Sequence, residues 1–356
     1  MTSHLRFAML VGYALLSILG LLMLSSIAPD KVAQQALALF VGALIMLYLS
    51  RQDLLIFRQF GIAIYILTIM LLLSTFVFGE VVRGAVRWID IGTFRLQTSE
   101  LAKPLLVLAF GYFLERFPPK TLKNIFINTF IYIIPTLLIF RQPDLGTALV
   151  VSAIWGAMMF VGGLSYWLVG IGAIFLSIAA IFSPHFLEEY QLERLRTFFD
   201  PYQDPLGSGY NVIQAIIAVG SGQLIGKGLG HGTQSHFRFL PERHTDFMFA
   251  SLSEELGLVG AGAVIIILAI ILYYLLATLL RHLPHYHKLV LTGVFAYLLF
   301  QAAINIGMNL GIAPVTGVTL PLISYGGSSV LATSLMFGFA LSGGNSPAHT
   351  SVLEIK

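Results

Sequence analysis

From Leu256 to Leu280 the chain runs for 25 residues without a charged side chain. At 1.5 Å per residue a helix of that length covers about 37 Å, more than the roughly 30 Å hydrocarbon core of a bilayer. Such a run belongs in a membrane, and the whole chain follows it: 57% of its 356 residues are hydrophobic and 10% are charged, against about 25% charged in soluble domains. The reading is an all-α polytopic membrane protein, a single integral membrane domain over residues 1–356. A net charge of +3, spread along the chain, speaks against nucleic acid as a partner. Without cysteine there is no disulfide framework, thiolate nucleophile or thiolate metal site.

Apolar runs of about 20 residues give a bundle of about ten transmembrane helices, near 7–28, 32–50, 59–79, 98–115, 122–140, 145–163, 166–183, 247–280, 288–311 and 325–343. Arg6 and Ser26-Ile27-Ala28 around the first run resemble a cleavable signal, but Pro29 and the spans that follow favour an uncleaved helix. With the N-terminus inside, the cytoplasmic connections and tails hold Arg6, Arg51, Arg58, Arg116, Lys120, Lys123, Arg281, Lys288 and Lys356. The short outer connections hold Lys31, Arg83, Arg87, Arg95 and Arg141. The positive-inside rule therefore puts both termini in the cytoplasm and residues 184–245 in one large extracytoplasmic loop. Inside that loop residues 211–226 are apolar at helical spacing but interrupted by Gly220 and Gly222, as in an interfacial or re-entrant helix.

Three polar clusters fall on this outer face. In "RFLPERHTDFMFASLSEELGLVG", residues 238–260, Asp246 lies about 15 Å ahead of the uncharged run, at the outer interface. On a helical period Glu254 sits roughly 80° from Asp246 and Glu255 on the opposite side, so Asp246 and Glu254 can line one cavity and Glu255 cannot, although both glutamates read more simply as interfacial carboxylates marking the end of a span. Thr245 ahead of Asp246 reads equally as an N-cap, with Asp246 as a first-turn acid. In "RGAVRWIDIGTFRLQTSELAKP", residues 83–104, Glu100 and Lys103 are spaced to pair on one helix face inside the outer leaflet, either as a functional pair or as a pin between helices. In "GIAPVTGVTLPLISYGGSS", residues 311–329 and including Ser324, proline and glycine forbid a helix, giving either a substrate groove or a tight turn between spans. Arg87, Arg194, Arg196, Arg238 and Arg243 add arginine to the same face. Arginine binds phosphate bidentately, so a phosphate-bearing membrane lipid is the partner these residues suggest, with an aspartate available for proton transfer.

"FLPERHTDFMFASLSEELGLVG", "RWIDIGTFRLQTSELAKP", "RTFFDPYQDPLGSGYNVIQA" and "GIAPVTGVTLPLISYGGSS" together resemble the SEDS family (shape, elongation, division and sporulation proteins), closest to its RodA branch. The resemblance runs from about Arg83 to the end of the last span. It implies a peptidoglycan glycosyltransferase of the bacterial cytoplasmic membrane that polymerises lipid II, undecaprenyl-diphosphate disaccharide pentapeptide, on the outer face for cell elongation and shape. It also implies a class B penicillin-binding protein as partner. The family's essential acid falls on Asp246 and its Glu and Lys on Glu100 and Lys103. Asp246 is then the general base of an inverting transfer. Glu100, Lys103, Arg87, Arg194, Arg196, Arg238, Arg243, Glu254 and Ser324 are the substrate-binding candidates. A divalent cation, Mg or Mn, can assist the diphosphate, with ligands that spacing does not assign. A lipid II flippase or other transporter, and a non-catalytic scaffold for the penicillin-binding protein, are the alternatives.

Overall fold

The computed structural model describes residues 2–82, 85–92, 94–168, 170–171 and 189–344. Nine of the ten expected spans are helices; the candidate near 166–183 lies largely outside the described residues. The long helices are α1 (Thr2–Ile27), α2 (Val32–Leu49), α4 (Gly61–Phe78), α5 (Thr98–Arg116), α6 (Leu122–Arg141), α7 (Leu145–Val161), α11 (Met248–Leu279), α12 (His285–Asn309) and α13 (Gly327–Gly344). Short α3 (Leu54–Gln59) precedes α4, and the long loop carries α8 (Glu189–Phe199), α9 (Tyr210–Ser221) and α10 (Thr233–His236). The α9 segment is the broken apolar stretch expected at the interface, and it packs against α11.

Six of these helices are long and apolar enough to cross a membrane. Their burial sorts them: 67% of the α12 window is buried inside the protein, against 22% for α4 and 17% for α6. So α4 and α6 form the perimeter and α12 the interior. With α12 at the centre goes α5, which packs on α4, α7, α12 and α13 and is buried over most of its length, its Glu100 and Lys103 included. The helical reading has one addition. Residues 80–97 form a three-stranded antiparallel meander of β1 (Glu80–Val82), β2 (Ala85–Ile91) and β3 (Phe94–Gln97), in the order β1-β2-β3. Trp88 pairs with Gln97 and Asp90 with Arg95, whose side chains meet at 3.2 Å.

The uncharged run does not begin as one straight helix. At Gly257 the backbone leaves the helical region (φ 65, ψ −163), dividing α11 into a short N-terminal helix and the membrane span. A break exposes main-chain groups that hydrocarbon cannot satisfy. Here the loop after α9 satisfies them: Leu258 N donates to Gln223 O (2.8 Å) and Val259 N to Leu224 O (3.1 Å). In return Lys227 N donates to Glu254 O (3.0 Å) and Gly228 N to Glu255 O (3.0 Å). This contact is between main chains and needs glycine. A Cβ at Gly222 would lie 1.9 Å from Ser253 O, and one at Gly257 2.3 Å from Gly226 N.

Gly257→Ala would combine that clash with a left-handed φ, and is expected to lower the melting temperature of the purified protein by about 3 to 9 °C. Gly262→Ala, with nothing within 4 Å of the new methyl, is expected to melt at or slightly above the wild-type temperature. Thermal unfolding of the two variants in one detergent checks this, and equal melting would remove the break as a constraint.

Candidate active site

Residues 242–247 form a turn-rich approach to α11. The helix begins at Met248 without a side-chain cap of its own. The expected N-cap, Thr245, instead turns back and donates to Glu242 O and to Glu242 Oε2 (2.9 Å). Its place is taken from across the bundle: Asn309 Oδ1, at the end of α12, accepts Ala250 N at 2.9 Å. The local motif was outcompeted because a neighbouring helix already supplies the acceptor that the first turn needs.

The approach is gripped through its main chain. Ser251 Oγ donates to Arg243 O (3.3 Å), Tyr325 N to His244 O (2.8 Å) and Ser324 Oγ to Thr245 O (2.6 Å). Asp246 O receives two amides, Asn305 Nδ2 at 3.1 Å and Asn309 Nδ2 at 3.0 Å. Four consecutive carbonyls are thus held, two of them by the non-helical segment 311–326, as its proline and glycine content allows. That segment also passes beneath the aspartate, where a Cβ on Gly317 would stand 3.6 Å from Asp246 Oδ2.

The Asp246 side chain is treated differently from its carbonyl. Half-buried, its carboxylate meets no hydrogen-bond donor among the described residues. Burial pushes its pKa up from 3.8 to about 6, the nearby Glu242 adds to the rise, and Arg194 and Arg87 oppose it, while Asp144 raises it a little. The carboxylate is therefore more basic than an ordinary aspartate, yet still mostly ionised at neutral pH, as a general base requires.

Around it the predicted residues divide. Arg194 on α8 and Arg87 on β2 are close enough to act on Asp246, and Arg87 is fixed in place: its Nε donates to Gln142 O at 3.0 Å and its Nη2 to Pro143 O. Arg243 donates to Ile27 O at the end of α1 (3.2 Å), a capping role, with its pKa lowered by burial. Arg238 is exposed beside Arg243, and Arg196 is exposed and paired with Glu189 at 3.5 Å. Ser324 is buried, its hydroxyl taken up by Thr245 O and Leu320 N. Glu100 and Lys103 form the expected pair at 2.8 Å, enclosed in the bundle, with Lys103 Nζ also donating to Gln301 Oε1 (3.0 Å) and lying 5.3 Å from the Tyr297 ring centre.

Glu254 corrects the helical-period reading, whereas Glu255 stays apart from Asp246 as that reading has it. Both are fully buried, and both bind the loop that wraps α11. Glu254 accepts from Lys227 Nζ (2.8 Å), Thr233 Oγ1, Gln234 N and Ser235 N and Oγ. That set uses its lone pairs and leaves it no vacancy as a helper to Asp246. Glu255, expected to turn away, accepts from Ser26 Oγ (2.7 Å), His236 Nε2 (3.0 Å) and Gly230 N (3.3 Å). The loop passes across the helix, so opposite faces meet the same segment and angular separation no longer decides their fate.

Sequence reasoning missed Asp144 and the asparagines of α12. Asp144 caps α7 through Thr147 N (3.2 Å) and accepts Ser99 Oγ (2.8 Å) and Gln97 Nε2 (3.0 Å), anchoring the end of the meander beside the site. The polar turn "RQPD" between two spans, and Gln301, Asn305 and Asn309 at four-residue spacing in an apolar helix, were the available signals. Among the described residues no three acidic or histidine side chains gather as metal ligands.

This arrangement has counterparts. The model of the FtsW, RodA and SpoVE family, described as cell cycle proteins, matches residues 1–342. The chain is 40% identical over 310 residues to the peptidoglycan glycosyltransferase MrdB of Escherichia coli K12, covering 85% of this chain and 82% of that protein. It is 36% identical over 326 residues to a probable peptidoglycan glycosyltransferase FtsW of Nitrosococcus halophilus, covering 86% and 81%. Among solved structures it superposes with a TM-score of 0.81 on a chain of a peptidoglycan synthase complex, at 34% identity over 94% of this chain and 96% of that one. The rod shape determining protein RodA of Thermus thermophilus gives a TM-score of 0.70 at 29% identity, covering 94% of each chain. With the family model matched over residues 1–342 and a 40% identical relative covered over most of both chains, the chain belongs to the FtsW, RodA and SpoVE family of membrane proteins.

Proposed function

We propose that this protein is a peptidoglycan glycosyltransferase that polymerises lipid II at the outer face of the cytoplasmic membrane, with Asp246 as general base. The observation that carries the reading is the basic carboxylate of Asp246, with no hydrogen-bond donor on it among the described residues, on a main chain held by two amides and near two arginines at the polar end of the bundle. In this reaction a sugar 4-hydroxyl of one lipid-linked chain attacks the anomeric carbon of another. Asp246 takes the hydroxyl proton, and the diphosphate-lipid departs with the bonding electrons. Direct displacement inverts the donor's α linkage to the product's β linkage and needs no covalent enzyme intermediate. Arg87 and Arg194 stabilise charge developing on the diphosphate, while Glu100–Lys103, enclosed with Gln301, supports the site from below.

A divalent cation fits only as the diphosphate's own companion. Mg binds readily through phosphate oxygens with one or two carboxylates, and the carboxylates that bear on Asp246 are Glu242 and Asp144, the latter already occupied as a cap. The relatives named as glycosyltransferases favour an enzyme over a transporter or a scaffold. The similar chain from a peptidoglycan synthase complex supports a class B penicillin-binding protein as partner. Both termini then lie in the cytoplasm, in agreement with the charge distribution of the connections.

Purified protein, with the penicillin-binding protein supplied, is given lipid II and its glycan products are resolved by gel. Wild type is expected to yield long strands and Asp246→Asn to lose at least about 100-fold in rate. Near-wild-type polymerisation by the variant would sink Asp246 as the base, and lipid II movement across vesicles without strands would favour the transporter.

The raised pKa has two further signatures. The rate is expected to fall below a midpoint of about pH 6, tenfold per unit on the acid side. Stability runs the other way: a carboxyl whose folded pKa exceeds the unfolded one stabilises the fold fully below about pH 3.9, and that contribution is lost as pH rises through about 6. Asp246→Asn is therefore expected to be more stable than wild type at pH 7 to 8 by on the order of 2 kcal/mol, and so to melt higher, the gap closing toward pH 4. Melting curves across pH test the sign, and a variant less stable than wild type at pH 8 would contradict it.

A further inference from the structure

Helix α12 presents three buried amides, Gln301, Asn305 and Asn309, at successive four-residue intervals along one face. On an α-helix that spacing stacks them in a row, and in an apolar span an amide left without partners is destabilising. The partners form a continuous path. At one end Lys103 Nζ, itself bound to Glu100, donates to Gln301 Oε1 (3.0 Å). Gln301 Nε2 donates to Thr319 O (3.1 Å). Asn305 Nδ2 bridges Val318 O (2.7 Å) and Asp246 O (3.1 Å). Asn309 closes the row, with Nδ2 on Asp246 O (3.0 Å) and Oδ1 on Ala250 N (2.9 Å).

We infer that Asn305 and Asn309 are positioning residues for the transfer reaction: their paired amides on the Asp246 carbonyl fix the carboxylate in its attacking place, and Gln301 joins the Glu100–Lys103 pair to the same frame. The inference rests on the reading of Asp246 as the base. Three observations carry it. First, the orientation of Asn305 is determined, because its Nδ2 faces two carbonyl oxygens and a flipped amide would set oxygen against oxygen. Second, Asp246 has no hydrogen bond to its carboxylate among the described residues, so the place of that group follows from its main chain. Third, Asn309 holds both sides of the junction, the Asp246 carbonyl and the first turn of α11, so the aspartate cannot move relative to the helix that follows it without breaking one of the two. Neither asparagine reaches the carboxylate through a hydrogen bond; each acts through the backbone of Asp246. Two donors on one carbonyl also make each a reserve for the other.

The test uses the full-length protein with its penicillin-binding partner and lipid II. Asn305→Ala, Asn309→Ala and the double variant are compared with Asp246→Asn and with Asn128→Ala. Asn128 is a buried amide on α6 that likewise donates to two carbonyls, Phe117 O and Asn124 O at 2.8 Å each, away from the site. Melting temperature, kcat, KM for lipid II and the acid limb of the rate profile are measured for each. The expectation is a several-fold fall in kcat for each single variant and about 100-fold for the double, more than the product of the singles, with KM within about threefold. The midpoint of the acid limb should move away from its wild-type position in the site variants alone. Asn128→Ala should lower the melting temperature while leaving kcat and the midpoint unchanged.

A double variant within twofold of wild type in kcat, with an unmoved midpoint, overturns the inference. So do site variants that lose melting temperature to the same degree as Asn128→Ala and nothing else. If the double variant does not fold, the single variants' kcat and acid-limb midpoint decide between the same outcomes. The Asp246→Asn arm separates the two readings: a dead Asp246→Asn beside unaffected asparagine variants removes the positioning role alone, whereas an active Asp246→Asn removes the base.

Discussion

The crossing of the α9–α10 loop over the break at Gly257 is the contact on which the polar end of this protein depends. A membrane span cannot simply stop being helical within the membrane, because water is scarce there and each abandoned main-chain group costs several kcal/mol. Four backbone hydrogen bonds between residues 223–228 and 254–259 remove that cost. They require glycine at the points of closest approach. Once the break is tolerated, the nine residues before it form a short helix with its own direction, and the turn bearing Asp246 is set by that helix and not by the span below it.

The two buried glutamates belong to the same device. Glu254 and Glu255 follow one another immediately before the break, and each gathers donors from the loop: Lys227 and Ser235 on one side, Gly230 and His236 on the other. Buried carboxylates are tolerated only with such partners. Their work is to hold the crossing closed, with Ser26 tying in the end of α1. This leaves Asp246 as the carboxylate of the cluster that the protein does not consume for its own packing.

Much of this was legible in the sequence. The start of the helix was: it begins beside Asp246, at Met248, although the break at Gly257 means that counting back along one straight helix does not give the residue's depth. The Glu100–Lys103 pair followed from spacing alone, because i and i+3 on one helix is a local relation. What escaped was long-range. Thr245 looked like a cap because nothing local shows that Asn309, 64 residues away in the chain, already faces the first turn. Glu254 looked like a second residue lining the Asp246 cavity because helical angles say nothing of the loop that takes up its carboxylate. The meander has a local signal, two short runs of strand formers in residues 85–97 around Gly92, whose φ of 64 suits a tight turn, but it is short beside the apolar helical spans on either side.

The contrast between the two ends of Asp246 gives the site its logic. Its carbonyl has two buried amide donors; its carboxylate has none among the described residues. Had those donors been aimed at the carboxylate they would have fixed it equally well, but each would have stabilised the charged form and lowered its pKa. A base so stabilised would be ordered and weak. Holding the residue by its main chain separates geometry from basicity, so that burial can raise the pKa to about 6 while the position stays defined. Arg87 completes the pattern, since its guanidinium is tied to the carbonyls of Gln142 and Pro143 and acts on Asp246 as a nearby charge without a direct bond. For the proposed transfer, such a site would leave the carboxylate oxygens of Asp246 open to a hydroxyl, with no donor on them among the described residues, and that freedom comes from the polar face of α12, buried where a membrane protein would otherwise place leucine.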